Sequence, residues 1–274
     1  MSKQGPMPLH VTARGEGEPV ILLHSGGMSA RQWRKLGDAL APTHRVLTPD
    51  FLGSGENPPW PTGEPFHFQQ DLEAAGELLS GVEGPVHLVG HSYGGLIALA
   101  LARTAPAKIR SLAVYDPVAF GVLYDTRDPE GLANLVLASA HPLFSDDAQG
   151  GSDAWFEVFV DYWNGPGSWR AMAPSAQEAF LRVGRKVYLE VSTLMKDRTP
   201  LSAYAAITAP SLLLFGERSP AAARRLVTLL GTAIPNATVQ AVANAGHMGP
   251  ITHAGAVNAE LTRHILAATA GRSA

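Results

Sequence analysis

Gly90-His91-Ser92-Tyr93-Gly94-Gly95 sets a serine between two glycines, each two residues away. An apolar run, Val86-His87-Leu88-Val89, precedes it, and an Ala/Leu-rich run, Leu96-Ile97-Ala98-Leu99-Ala100, follows. Strand, sharp turn and helix is the context in which G-x-S-x-G acts as a nucleophile motif. Such a turn holds the serine in strained backbone geometry with its hydroxyl pointing out of the sheet. Strand and helix approach closely there, so the flanking positions must be small, as Gly90 and Gly94 are. The Tyr93 N–H, at the start of the helix, then points to where an oxyanion would form. A glycine-rich turn with a bystander serine does not account for the flanking strand and helix. A dinucleotide-binding loop is excluded, because G-x-G-x-x-G needs glycine where Ser92 stands.

Three further stretches carry groups that such a serine would need. Asn244-Ala245-Gly246-His247-Met248-Gly249-Pro250 follows the last expected strand. A histidine in that glycine-flanked loop can reach back to a serine hydroxyl as general base and then general acid. His24-Ser25-Gly26-Gly27 offers small residues whose backbone N–H groups lie beside Ser92, so Gly26 or its neighbour is a candidate second oxyanion donor. The third requirement is a carboxylate to accept from the histidine Nδ1–H. Asp116 and Glu217 both sit at strand ends and both satisfy the chain order serine, acid, histidine. Asp50 precedes Ser92 and reads as a loop or helix-capping acid.

The elements that must position these groups alternate. Short strands are expected over 9–13, 20–23, 44–48, 86–89, 109–115, 210–215 and 238–242. Helices are expected over about 30–40 and 68–80, from Ser92 to before Pro106, and over about 221–230 and 253–268, from apolar spacings such as Trp33, Leu36 and Leu40. Continuous apolar strands such as Val20-Ile21-Leu22-Leu23 belong in a parallel sheet buried on both faces. The expectation is therefore an α/β protein with a mainly parallel, doubly wound sheet. Ligands in such sheets bind at strand carboxyl ends, where every candidate residue falls. From 120 to 204 the pattern changes to helical segments with scattered aromatics, among them Trp155, Phe156, Phe159, Tyr162, Trp163 and Trp169. Core residues 1–119 and 205–274 thus flank a helical insertion placed before the penultimate core strand.

Composition narrows the function. The 274 residues include 21 Lys+Arg against 24 Asp+Glu, a formal net charge of −3, which gives no electrostatic basis for binding nucleic acid or an anionic membrane. Hydrophobic content of 46% is ample for a core. The absence of cysteine removes disulfides, thiol nucleophiles and thiolate metal sites. His87 and His91 are four apart but lie in or after a strand, where that spacing does not put two metal ligands on one helical face. No apolar run approaches the ~18–20 residues of a membrane span. Met1-Ser2-Lys3-Gln4-Gly5-Pro6 lacks the apolar core of a signal peptide. A cytoplasmic protein acting on a small molecule, without cofactor or metal, is expected. Its oligomeric state is left open.

Taken together, His24-Ser25-Gly26-Gly27, Asp50-Phe51-Leu52-Gly53-Ser54-Gly55, Gly90-His91-Ser92-Tyr93-Gly94-Gly95 and Ala245-Gly246-His247 resemble the α/β-hydrolase-fold family along nearly the whole chain. The resemblance implies a serine–histidine pair and assigns residues 120–204 to a cap that roofs the active site. Many members carry their acid after the penultimate strand in a Gly-x-x-Asp arrangement. Here that stretch is Gly216-Glu217-Arg218-Ser219, with serine in place of the acid. Other members, haloalkane dehalogenases among them, carry it at the strand end before the cap, which here is Tyr115-Asp116-Pro117. The resemblance therefore favours Asp116, with Glu217 as the alternative. Dehalogenase and epoxide hydrolase chemistry on this fold uses an aspartate nucleophile, which Ser92 is not. The implied activity is a serine hydrolase of small to medium, rather apolar carboxylic esters, with Gly26 and Tyr93 at the oxyanion. The alternatives are C–C bond hydrolysis, lactone opening or perhydrolysis on the same triad, or a ligand receptor that does not turn over.

Overall fold

The structure, a computed structural model, describes residues 8–270; the opening segment Met1-Ser2-Lys3-Gln4-Gly5-Pro6 lies outside them. Seven strands form one sheet: β1 (Val11–Arg14), β2 (Glu18–Leu23), β3 (His44–Pro49), β4 (Val86–His91), β5 (Ile109–Tyr115), β6 (Ser211–Gly216) and β7 (Ala237–Val242). Their spatial order is β1-β3-β2-β4-β5-β6-β7. Only β1 runs antiparallel, against β3, and all other neighbours are parallel.

The continuous apolar strands are buried on both faces, as their sequences require. Ile21 and Leu23 of β2 point to one side of the sheet while Val20 and Leu22 point to the other. In β5, Leu112 and Val114 share the first side and Ala113 and Tyr115 the second. Helices cover both sides: α1 (Arg34–Leu40) on one, α2 (Phe68–Gly81) and α3 (Tyr93–Thr104) on the other. The stretch expected as one helix over 30–40 opens instead with a 3-10 turn, Ala30–Trp33. The Ala30 N–H that starts it donates to Asp50 Oδ1 at 2.7 Å, so Asp50 organises this loop as its position suggested.

Between β5 and β6 the chain contains only helices and loops: α4 (Gly121–Thr126), α5 (Pro129–Ser139), α6 (Asp153–Asn164), α7 (Ser168–Ala171) and α8 (Pro174–Leu194). A buried aromatic cluster of Trp155, Phe156 and Trp169 holds α6, α7 and α8 together, with Phe156 and Trp169 stacked at 5.2 Å between ring centroids. After β6 come α9 (Ala221–Ala233), then β7, α10 (Gly249–Thr252) and α11 (Ala254–Ala270). Helix α9 packs on the α2/α3 side, and α11 joins α1 on the other. An ion pair of 2.6 Å from Arg225 on α9 to Asp128, the N-cap of α5, ties the insertion to the core. No helix among the described residues is long and apolar enough to cross a membrane.

The tightest crossing in the sheet is where β4 turns into α3. A Cβ on Gly90 would lie 2.3 Å from the Gly94 carbonyl oxygen, and one on Gly94 would lie 2.4 Å from that of Leu23. Both obstacles are backbone and cannot rotate away. Gly90→Ala is therefore expected to lower folding stability by about 3 kcal/mol or more, read as a reduced urea midpoint or as loss of soluble protein. A midpoint unchanged from wild type would show that the crossing can relax.

Candidate active site

Ser92 stands at the apex of the β4–α3 turn as the N-cap of α3. Its backbone angles are φ 53° and ψ −115°, a conformation that costs a non-glycine residue about 1–3 kcal/mol. The surroundings impose it. The Ser92 N–H donates to the Tyr115 carbonyl at 3.0 Å, and the Ser92 carbonyl accepts from Leu96 N–H at 3.0 Å, which starts the helix.

His247 lies in the loop between β7 and α10, and three contacts fix that loop. Tyr115 O–H donates to the Gly246 carbonyl at 2.7 Å. His91, the last residue of β4, donates from Nε2 to the His247 carbonyl at 2.8 Å while its Nδ1 accepts from Gln32 at 3.1 Å. Burial, reinforced by repulsion from His247, pushes the His91 pKa well below the ordinary histidine value, so the ring is neutral and keeps this arrangement. The Trp163 ring of α6 stacks on the His247 imidazole, with centroids 3.8 Å apart.

Asp116 follows β5 with φ 42° and is fully buried. Its Oδ2 accepts from His247 Nδ1 at 3.1 Å and from the Ser219 hydroxyl at 2.5 Å. With the proton held on Nδ1 by the carboxylate, His247 Nε2 is the acceptor for the Ser92 hydroxyl, 3.0 Å away. Ser92, His247 and Asp116 are thus brought together in one hydrogen-bonded line. Glu217 is not part of it: the side chain is exposed and its carboxylate accepts from the Asn244 N–H at 2.9 Å. Asn244 itself has φ 60°, so Glu217 shapes the loop that carries His247 without touching the imidazole.

Gly26 and Tyr93 line a cavity of about 1200 Å³ together with Ser92 and His247. Tyr93 is the first residue of α3, so its N–H has no partner within the helix. The Gly26 stretch is anchored by His24, whose Nδ1 donates to the Ser25 carbonyl at 2.7 Å and whose Nε2 accepts from Phe51 N–H at 3.0 Å. The remaining walls come largely from the helical insertion and are mostly apolar: Phe159, Trp163, Phe180, Val187 and Leu194 among them. The aromatics of 120–204 therefore divide. Trp155, Phe156 and Trp169 are core of the insertion, while Phe159, Tyr162 and Trp163 face the cavity.

Several contacts at the site were not legible in the sequence. Trp163 stood out only as one aromatic among many, and nothing local pointed to His247. In the sequence Ser219 reads only as the lack of an acid at that place; its hydroxyl bond to Asp116 depends on the fold. Lys186 and Glu190 are spaced as an i,i+4 pair, which usually marks a solvated helix face, yet both are 2% exposed. No group of three or more residues suited to holding a metal ion occurs among the described residues.

A profile of the alpha/beta hydrolase family matches residues 20–260. The chain is 28% identical over 255 residues to the pimeloyl-[acyl-carrier protein] methyl ester esterase of Aeromonas hydrophila, covering 90% of this chain and 95% of that protein. It is 32% identical over 157 residues to a lipase of Mycobacterium tuberculosis, covering 55% of this chain and 57% of that one. Among solved structures, a thermophilic esterase from Thermogutta terrifontis superposes with a TM-score of 0.70 at 20% identity, covering 95% of this chain and 93% of that one, a likeness of fold.

The buried histidines predict how stability responds to acid. Burial outweighs the pull of the Ser25 carbonyl and of Asp50 to lower the His24 pKa to about 4, and His91 is depressed as well. The unfolded chain takes up these protons near the ordinary histidine value of about 6.5, whereas the folded chain resists. Their contribution is intact above that value and is lost as pH falls toward 4, at about 1.4 kcal/mol per unit of depression for each group. Urea midpoints are expected to drop steeply between neutral pH and pH 5. A flat profile over that interval would contradict the neutral assignments of His24 and His91.

Proposed function

The chain belongs to the alpha/beta hydrolase family, and on that premise we propose that it is a serine hydrolase of carboxylic esters with a small to medium, rather apolar acyl or alcohol part. The observation that carries this reading is the unbroken line from Asp116 Oδ2 to His247 Nδ1, 3.1 Å, and from His247 Nε2 to Ser92 Oγ, 3.0 Å. Ser92 Oγ attacks the acyl carbon as His247 Nε2 takes its proton. Asp116 holds the imidazole tautomer and stabilises the imidazolium that forms. The carbonyl oxygen, now negative, is held by the N–H groups of Gly26 and Tyr93, the latter at the positive end of α3. Collapse of the tetrahedral adduct expels the alcohol, which leaves with the proton from His247. Water then repeats the sequence on the acyl-enzyme, with His247 again as base, and releases the acid and Ser92.

Residues 120–204 act as a cap over this site, with 1–119 and 205–274 as the two parts of the core. The apolar cavity wall supplied by the insertion favours an apolar substrate body over a charged one. The names of the relatives, a methyl ester esterase and a lipase, agree with ester cleavage. The protein requires no cofactor for these steps.

A fluorophosphonate probe, read by intact mass and peptide mapping, is expected to add once, on Ser92, in wild type and to fail in His247→Ala. A folded wild type that stays unlabelled would favour a receptor on a hydrolase scaffold. The acid is tested by kinetics: Asp116→Asn is expected to lose about 10³–10⁴-fold in kcat with folding intact, and Glu217→Gln to stay near wild type. The reverse pattern would transfer the role to Glu217.

A further inference from the structure

Behind Tyr93 and against the wall of the cavity lies a buried trio of charged side chains that the steps above do not use. Lys186 and Glu190 come from α8 and Asp71 from α2, and all three are 2% exposed or less. Asp71 is fully satisfied: its Oδ1 accepts from Leu52 N–H at 2.9 Å, and its Oδ2 from Tyr93 O–H at 2.8 Å and from Lys186 Nζ at 2.6 Å. Glu190 is not. Lys186 donates to its Oε1, and among the described residues its Oε2 has no hydrogen-bond partner. That second oxygen is directed at Gly26, where a Cβ would lie only 2.8 Å from it, and Glu190 lines the same cavity as Ser92.

One ammonium cannot neutralise two buried carboxylates, and an uncompensated buried charge is expensive. Asp71, with three donors, is the carboxylate that keeps its charge. The excess negative charge is removed most cheaply by a proton on Glu190, on the oxygen that has no donor, Oε2. We propose that Glu190 is held as a neutral carboxylic acid which donates a hydrogen bond from Oε2 to an oxygen of the substrate's acyl group at Gly26, and that its ionisation suppresses turnover.

Burial is the main cause that raises the Glu190 pKa, to about 7, with Asp71 adding to the rise and Lys186 opposing it. The charged groups facing Glu190 are thus Lys186 on its own helix and Asp71 from α2. The neutral polar groups around the trio are the Tyr93 hydroxyl from α3, bonded to Asp71, and the His24 ring at the end of β2, which feels both Lys186 and Asp71. As an acid, Glu190 adds a donor beside the proposed oxyanion site. As a carboxylate, it sets a negative charge against the oxyanion that forms there. A side chain at position 26 would displace this carboxyl group from its place beside the backbone.

This inference rests on the ester hydrolase reading for its kinetic part only. Glu190→Gln preserves an acceptor for Lys186 and a donor toward Gly26, carries no charge, and leaves the Lys186–Asp71 pair balanced. It is expected to retain kcat/KM within about threefold of the wild-type optimum and to lack the fall in activity above neutral pH that the proposal predicts for wild type. Glu190→Leu, checked for folding by circular dichroism, is expected to lose about 10²-fold. A Glu190→Gln variant that keeps the alkaline fall, or loses activity as deeply as Glu190→Leu, overturns the proposal. Infrared difference spectra of wild type against Glu190→Gln, without substrate and below neutral pH, give a readout independent of turnover. A carboxylic acid C=O band that disappears on raising the pH supports the protonated state, and its absence overturns it. Failure of fluorophosphonate labelling in wild type would defeat the hydrolase reading separately, leaving the infrared band to decide Glu190.

Discussion

The close crossing of β4 and α3 is the constraint on which the site depends. Gly90, Gly94 and the Leu23 backbone are packed so tightly that the chain must turn within one residue, and Ser92 takes the resulting backbone strain. That strain is sustained by the burial of β4 and α3 in the middle of the sheet, where apolar side chains on both sides resist relaxation. The same turn aims the serine hydroxyl away from the sheet and leaves the Tyr93 N–H free at the helix start. Asp116 and Asn244, after β5 and β7, are also held at positive φ, so three of the sheet's carboxyl ends carry backbone that only the surrounding structure can maintain.

The arrangement around Asp116 explains how one sheet position can give up its acid. Strands β5 and β6 are parallel neighbours, so their carboxyl ends converge on one place. An acid at either end could reach the His247 imidazole. Here β5 supplies the carboxylate and the chain after β6 supplies Ser219, whose hydroxyl donates to it. A second carboxylate at 219 would lie beside Asp116 and repel it; a hydroxyl fills the space and stabilises the charge. The serine at 219 is a complement to Asp116, not a gap in the site.

The helical insertion has two faces with different demands. Its interior is an aromatic cluster that lets α6, α7 and α8 hold together with little help from the sheet. Its other face closes the cavity, stacks Trp163 on His247 and brings Lys186 and Glu190 to Asp71 and Gly26. The second face is built from long-range contacts, so changes there reach the chemistry directly. A buried ionic group in this position costs stability unless its partners compensate it, so the docking of α8 on α2 and α3 must hold Lys186 and Asp71 in register.

By itself, the sequence determined the alternation of strands and helices, the helical character of the segment between β5 and β6, the turn at Ser92 and the loop bearing His247. Each is a local property: apolar period, glycine spacing, or a motif whose meaning lies within a few residues. It narrowed the acid to Asp116 or Glu217, because both stand at strand ends in the right chain order, and no local rule separates two such carboxylates. Tertiary structure decided that only Asp116 reaches the imidazole, since the direction of a side chain leaving a strand end depends on the backbone angles there and on the neighbouring strand. It alone revealed Trp163, Ser219, His91 and the Lys186–Glu190–Asp71 trio as parts of the site. Those partners lie far apart in the chain, 84 residues from Trp163 to His247 and 115 from Asp71 to Lys186. Contacts at such separations are set by how the insertion docks on the sheet, a packing outcome that periodicity and motif spacing do not encode.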